Sequence, residues 1–113
     1  MVSELYEPRK GDIVSLFFEK RSGREQHGWR PALVISNDLF NERTGMAMVC
    51  PVSRTNRDYP FHVTISEPIG VEGQIMVDQI RSIDFGARRV KHIGTASDKL
   101  VDEVLAILDA CVY

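Results

Sequence analysis

The strongest constraint on the fold is that the one long helical pattern lies at the end of the chain. After Ser97, a residue type that caps helices, apolar side chains recur at helical spacing through residues 97–112. The chain before this helix consists of short runs with strand patterns, separated by glycine-containing or polar stretches. Because no helix separates the early strands, a parallel βαβ sheet is excluded. The order predicts a mainly β, α+β fold in which a small barrel carries one terminal helix.

The predicted strands differ in how their faces are covered. Residues 12–19 alternate with one apolar face, whereas residues 32–35 and 46–52 are continuous apolar runs. Such runs are typical of strands covered on both faces, so we expect them at the centre of the sheet. Between them, Asn37 is expected to cap a short helical turn that Gly45 ends.

The second half of the sheet is less regular. Residues 59–66 alternate without exception and predict a strand whose odd-numbered side chains point inward. Pro60 lacks a backbone donor, which places this strand at an edge. Residues 74–85 predict one or two short strands, although their apolar spacing also suits a helical turn. The polar stretches 20–29 and 53–58 are predicted to be loops.

Size and composition indicate a single domain over residues 1–113. The chain is 43% apolar, which suffices for one core. Cys50 and Cys111 each lie in an apolar run, and we expect two small buried side chains rather than a disulfide. Glu4 and Glu7 stand where a signal peptide would need apolar residues, and no apolar stretch is long enough to span a membrane. We therefore expect a cytoplasmic protein.

Charge is informative through its distribution. Fourteen basic and sixteen acidic side chains give a net charge of −2, which by itself disfavours nucleic-acid binding. The terminal helix alone carries −3, however, and the rest of the chain +1. Residues 20–30, 54–57 and 88–91 are locally basic, so a nucleic-acid partner remains compatible with the sequence.

Neither a metal nor a nucleotide cofactor is expected. The three histidines, His27, His62 and His92, are far apart in the chain, and no paired carboxylate motif for Mg²⁺ is present. The glycine-rich motifs that bind phosphate are also missing. Cys50 lies in an apolar run, which is unsuited to an exposed nucleophile beside a base.

Six segments, in this order, resemble the MazF/PemK family of toxin endoribonucleases. They are GDIV (11–14), EQHGWRPALVIS (25–36), NERTG (41–45), CPVS (50–53), YPF (59–61) and VDQIRSID (77–84). The resemblance extends over nearly the whole chain, from Gly11 to the terminal helix. It implies an SH3-like barrel that forms a homodimer, cleaves single-stranded mRNA without a metal at short sequence motifs, and is held inactive by a cognate antitoxin.

The resemblance also implies the catalytic residues. Arg30 lies in the Arg-Pro motif that carries the family's catalytic arginine, and Ser53 stands where many members have threonine, with the hydroxyl retained. Glu25 matches a glutamate that some members use. A guanidinium suits the charge that develops on the phosphoryl oxygens, and Glu25 is then the natural proton acceptor. The expected products carry 2′,3′-cyclic phosphate and 5′-hydroxyl ends.

Further residues are candidates for RNA contact. Trp29 offers a stacking surface, and the Gln79 amide could bind a base edge. The other candidates are charged or amide side chains near the two polar loops: Lys20, Arg24, Gln26, Arg54, Asn56 and Arg57. Phe17 suggests an apolar surface for the dimer. An acidic, flexible antitoxin segment is expected to bind the groove that holds the RNA. The toxin–antitoxin complex is expected to bind operator DNA through the antitoxin.

Two other functions stay open at this point. One is a gyrase-poisoning toxin of the CcdB type, which depends on a C-terminal tryptophan, whereas this chain ends Cys-Val-Tyr. The other is a barrel that still binds nucleic acid or an antitoxin and has lost catalysis. Ser53, which stands where many members have threonine, is the only departure from the family pattern that favours this loss of catalysis.

Overall fold

The structure is a computed structural model that describes residues 6–18 and 28–113. In this part of the chain the strands are β1 (Asp12–Phe18), β2 (Gly28–Val34), β3 (Met46–Ser53), β4 (His62–Thr64), β5 (Gln74–Met76), β6 (Arg81–Asp84) and β7 (Val90–Thr95). The helices are α1 (Asp38–Thr44) and α2 (Asp98–Val112), and a 3₁₀ turn spans Val77–Gln79.

All strand pairs are antiparallel, in the order β4-β5-β3-β2-β1-β7, with β6 added beside β3. One edge of β3 pairs with β2, while its other edge pairs first with β6 and then with β5. Pro51, which has no backbone donor, lies between these two partners. Within the described residues no pairing joins the end strands β4 and β7. The mainly β fold with a C-terminal helix is confirmed, but the sheet is open where a closed barrel was expected.

Two apolar clusters cover the two faces of the central strands. The first core lies under α2 and is built from Ile13, Leu33, Ile35, Cys50, Val52, Val63, Ile69, Ile75, Val77, Ala96, Leu100, Val101 and Val104. The second core lies on the opposite face and contains Val14, Leu16, Ala32, Val34, Ala47, Val49 and Ile83. Alternate residues of β2 and β3 enter different cores, which confirms that their continuous apolar runs are covered on both faces.

The helices begin where the sequence predicts. Asn37 accepts a hydrogen bond from the Phe40 amide at the start of α1, and Gly45 ends it with φ of 70°. Ser97 caps α2 by accepting from the Leu100 amide at 3.1 Å. The expectation that Cys111 is buried is wrong, because the first core extends along α2 only to Leu108 and the last turn is exposed. Among the described residues, no helix is long and apolar enough to cross a membrane.

Two strand predictions need correction, and one strand was not predicted. Residues 28 and 29, expected in a loop, already belong to β2, and residue 19 lies outside the described part. The alternating stretch 59–66 forms only the short edge strand β4, and Tyr59 is exposed because pairing with β5 begins at His62. Residues 74–85 form two strands separated by a 3₁₀ turn, so both interpretations of that stretch are realised. Strand β7 was not predicted, because its mostly exposed residues include a glycine and lack an apolar pattern.

Candidate active site

The candidate site is an open groove that begins where the second core ends. On β2, Arg30 lies on the same face as Ala32 and Val34, since alternate residues of a strand share a face. By the same alternation, Ser53 shares the face of Val49 on β3. These strands therefore continue past the apolar core with polar side chains. The resulting groove has a volume of about 1260 Å³.

Arg30 and Ser53 lie on neighbouring strands. The pairing of β2 with β3 includes Ala32 opposite Pro51, and the same register continued by two residues places Arg30 opposite Ser53. Both line the groove. Arg30 is half-buried and, within the described residues, takes part in no ion pair. Its guanidinium is thus available to an anionic ligand.

Ser53 is held by its neighbours. Its Oγ accepts a hydrogen bond from the Thr55 amide at 3.1 Å, which fixes the oxygen and leaves the O–H free to donate into the groove. On the other side, Gly73 approaches the Ser53 backbone so closely that a Cβ at Gly73 would lie 2.1 Å from the Ser53 carbonyl oxygen. The backbone of Ser53 is therefore positioned by direct contact with residue 73, which must be glycine.

A turn after β6 brings further arginines to the groove. Asp84 Oδ1 accepts from the amides of Gly86 and Ala87 at 3.0 and 3.1 Å, and this turn is followed directly by Arg88 and Arg89. Arg88 Nη1 donates to the Phe17 carbonyl at 3.4 Å, which ties the turn to β1. Among the described residues, five arginines and one carboxylate line the groove: Arg30, Arg54, Arg81, Arg88, Arg89 and Asp84. This excess of positive charge suits a polyanion such as a phosphate backbone.

An aromatic cluster forms one end of the groove. The Phe17 and Trp29 rings meet edge to face, with their centroids 5.6 Å apart, and both residues line the groove. Lys91 Nζ lies 4.5 Å from the centre of the Trp29 ring, within the range of a cation–π contact. The Trp29 side chain is 39% exposed, so part of its ring remains available for stacking.

The structure brings together only part of the predicted set. Arg30, Ser53, Trp29, Arg54 and Gln79 all line the groove. The remaining predicted residues fall into two groups. Glu25, Lys20, Arg24 and Gln26 lie outside the described residues. Asn56 and Arg57 are exposed but do not line the groove.

A buried glutamine accounts for the position of Arg57. Gln74 accepts from the Arg57 amide at 3.0 Å and donates to its carbonyl at 2.8 Å. These two hydrogen bonds fold the loop that follows Ser53 over the start of β5.

Three groove arginines were not among the predicted site residues. Arg81 is placed by the pairing of β6 with β3, opposite Val49. Arg88 and Arg89 belong to a segment that the sequence marked as basic, which was the available signal. Their membership of the groove depends on the turn at Asp84 and on the pairing of β6, neither of which can be inferred from local sequence.

Cys50 takes no part in the groove. Burial, with a smaller contribution from the charge of Asp78, raises the pKa of its thiol to about 12. The thiol is therefore protonated at neutral pH and faces the first core. In the described parts of the chain, no three His, Cys, Asp or Glu side chains come together as a metal site requires.

The fold and the groove define a class: a small α+β protein whose open sheet presents an arginine and a serine in a positively charged groove. A family model described as "PemK-like, MazF-like toxin of type II toxin-antitoxin system" matches residues 9–112. The chain belongs to this family of toxins.

Individual relatives agree with this assignment. The chain is 39% identical over 109 residues to the endoribonuclease toxin ChpB of Escherichia coli K12, with 91% of this chain and 92% of ChpB covered. It is 34% identical over 114 residues to the endoribonuclease toxin MazF of the same strain, covering 99% of each. A chain in a MazE–MazF crystal structure from Deinococcus radiodurans is 37% identical, with a TM-score of 0.86 and coverage of 95% and 96%. The relatives support the endoribonuclease interpretation and give no support to a gyrase poison.

Proposed function

We propose that this protein is an endoribonuclease toxin that cleaves single-stranded mRNA in the arginine-lined groove and thereby inhibits translation. The observation that carries the proposal is that Arg30 on β2 and Ser53 on β3 line one groove, together with four further arginines of the described chain. The protein belongs to the toxin family, and its relatives are named as endoribonucleases. Both findings support the same activity.

The proposed reaction is an internal transfer at one phosphodiester. The ribose 2′-oxygen forms a bond to the adjacent phosphorus while the bond from phosphorus to the 5′-oxygen breaks. The 2′-hydroxyl gives its proton to a base, and the leaving 5′-oxygen takes one up, so the products carry a 2′,3′-cyclic phosphate and a 5′-hydroxyl. Protein groups can perform every part of this reaction, and we propose that neither a metal nor another cofactor is used.

Each catalytic candidate has a role suited to its chemistry. Arg30 donates from a fixed planar fork and stabilises the charge that develops on the phosphoryl oxygens. The free O–H of Ser53 donates to the same phosphate, because its oxygen is already held by the Thr55 amide. Glu25 is proposed as the proton acceptor on the basis of the sequence alone.

The rest of the groove is proposed to bind the RNA chain. Trp29 would stack on a base and Gln79 would bind a base edge, since each is exposed toward the groove. The charged and amide side chains would contact phosphates and bases: Arg54, Arg81, Arg88 and Arg89 in the groove, with Lys20, Arg24, Gln26, Asn56 and Arg57 from the two polar loops.

Partners follow from the same surface. We propose a homodimer, and a cognate antitoxin whose acidic, flexible segment occupies the arginine-lined groove. A crystal structure of MazE–MazF from Deinococcus radiodurans contains a chain related to this one, which supports an antitoxin partner. The toxin–antitoxin complex would bind operator DNA through the antitoxin. The proposed mRNA substrate places the toxin in the cytoplasm.

The test is cleavage of single-stranded RNA in the presence of EDTA. We expect the wild-type protein to cleave, and Arg30→Ala and Ser53→Ala to lose about 10²–10³-fold in kcat/KM. Ser53→Thr keeps the hydroxyl and is expected to retain activity. Arg43→Ala is the matched control, because this arginine lies on α1 outside the groove.

Two outcomes would contradict the proposal. One is activity that disappears in EDTA, and the other is near wild-type cleavage by Arg30→Ala. Sequencing the 5′ ends of RNA from cells that express the toxin would identify the recognition motif in the same experiment.

A further inference from the structure

A histidine–aspartate pair lies next to residues that line the groove: Met76 is the strand partner of His62, and Gln79 follows Asp78. His62 Nε2 is 3.2 Å from Asp78 Oδ1, and the His62 side chain is only 8% exposed. The second oxygen of Asp78 accepts a hydrogen bond from Tyr59 at 3.5 Å, and the Tyr59 ring packs edge-on against the imidazole with centroids 4.7 Å apart. Both carboxylate oxygens of Asp78 are therefore engaged by residues at the start of β4.

Asp78 is the middle residue of the 3₁₀ turn, and the last residue of that turn, Gln79, lines the groove. At the end of the turn the Ile80 amide donates to the Val77 carbonyl at a long 3.3 Å. Its first residue is fixed, since Val77 is fully buried and its amide donates to the Phe61 carbonyl at 3.1 Å. Within the described residues the Gln79 side chain makes no hydrogen bond. The orientation of the Gln79 side chain thus depends on how the preceding residue, Asp78, is held.

The stability of the folded state does not explain why residue 62 is a histidine. Its Nδ1 is buried and, within the described residues, has no hydrogen-bond partner. A buried polar atom without a partner destabilises the folded state, so Nδ1 itself contributes nothing to stability. The group that benefits from the imidazole is Asp78, through Nε2.

We propose that His62 and Asp78 are positioning residues for RNA recognition, which hold the 3₁₀ turn so that the Gln79 amide faces the groove. The inference rests on the proposed function, because it assigns a binding role to Gln79. Arg30 is paired with Leu16 on β1 and Ser53 with Gln74 on β5, and the turn belongs to neither pairing. Loss of the pair therefore weakens RNA binding and leaves the chemical step intact.

The experiment is a double-mutant cycle between Asp78→Asn and Gln79→Ala. KM and kcat are measured with single-stranded RNA, and Kd with the same RNA carrying 2′-O-methyl riboses, which cannot be cleaved. We expect Asp78→Asn to raise KM and Kd about fivefold with kcat within about twofold of wild type. In the Gln79→Ala background, Asp78→Asn is expected to have no further effect, because the pair acts through Gln79.

Two histidine variants test the partner in the pair. His62→Gln keeps an N–H donor near the position of Nε2 and is expected to retain the wild-type KM. His62→Leu removes that donor and is expected to behave as Asp78→Asn does. If His62→Leu proves too unstable to assay, Asp78→Asn and His62→Gln decide the question. The matched control for His62→Leu is His92→Leu, which removes the other His–Asp contact of the described chain, to Asp12 at 3.6 Å and outside the groove.

Three results would overturn the inference: multiplicative effects of Asp78→Asn and Gln79→Ala, a loss in kcat with KM unchanged, or an equal rise in KM for His92→Leu. The proposed function fails separately, if the wild-type protein leaves unmodified RNA intact. The binding cycle with uncleavable RNA still decides the role of the pair in that case.

Discussion

Gly73 provides the most direct test of how the sheet positions the active site. Its φ of +126° lies where side chains are rarely accommodated, and a Cβ there would lie 2.1 Å from the Ser53 carbonyl oxygen and 2.9 Å from its carbonyl carbon. Real Cβ atoms essentially never approach closer than 3.0 Å. Gly73→Ala must therefore push the end of β3 away from β5, and both atoms that clash belong to backbone.

The cost has two parts. A non-glycine residue in such a conformation costs about 1–3 kcal/mol. Separation of the strands also weakens the short β3–β5 ladder, which pairs Val52 with Ile75 and Ser53 with Gln74. The loss of two hydrogen bonds there adds about 2 kcal/mol. We expect Gly73→Ala to lower the free energy of unfolding by about 3–5 kcal/mol.

Gly45→Ala is the matched control. Gly45 also has a positive φ, +70°, but a Cβ there would meet no atom within 4 Å, so only the conformational strain of about 1–2 kcal/mol remains. Urea denaturation measures both variants, and RNA cleavage is assayed under conditions where both are folded. Of the two variants, we expect only Gly73→Ala to lose RNA-cleavage activity, because Ser53 is displaced in that variant. If its unfolding free energy lies within about 1 kcal/mol of that of Gly45→Ala, the close approach of residue 73 does not constrain Ser53 and the reasoning is refuted.

Two further predictions concern titratable groups. Tyr6 donates a hydrogen bond to Asp12, and burial together with this contact raises the pKa of its phenol, so the folded state holds the proton more tightly than the unfolded state does. Thermal stability should fall as pH rises above about 10, the usual tyrosine pKa, and Tyr6→Phe should reduce that fall; an identical pH profile for the variant would contradict this. Cys50 is fully buried with a pKa of about 12, whereas Cys111 is exposed. An aromatic disulfide reagent should modify Cys111 alone in the native protein and both thiols after unfolding, and rapid modification of both in the native state would show that the first core is open.

Local sequence was sufficient for the elements whose determinants are local. Asn37, Gly45 and Ser97 act on backbone groups within a few residues, so both helices begin where predicted. The continuous apolar runs in β2 and β3 indicate that both faces of these strands are buried, which is typical of central strands. Arg30 and Ser53 were identified through motifs that resemble the toxin family, and the structure places both in one groove.

Predictions failed where a distant partner decides the outcome. Tyr59 continues a perfect alternation but is exposed, because β5 offers pairing only from His62 onward. Cys111 continues the helical stripe but lies beyond the end of the first core. Strand β7 has no apolar pattern and forms because β1 leaves an edge free to pair.

The sequence by itself determined that the chain forms a mainly β domain with a terminal helix, and it identified the Arg-Pro motif and the serine that the resemblance to the toxin family implies as catalytic. Those features depend on residue type and spacing along the chain. Only the tertiary structure decided what surrounds them. The groove gains Arg81, Arg88 and Arg89 because β6 pairs with β3 and the turn at Asp84 follows, and Asp78 meets His62 because β4 pairs with β5. Such contacts join residues far apart in sequence, and strand register rather than local preference sets them.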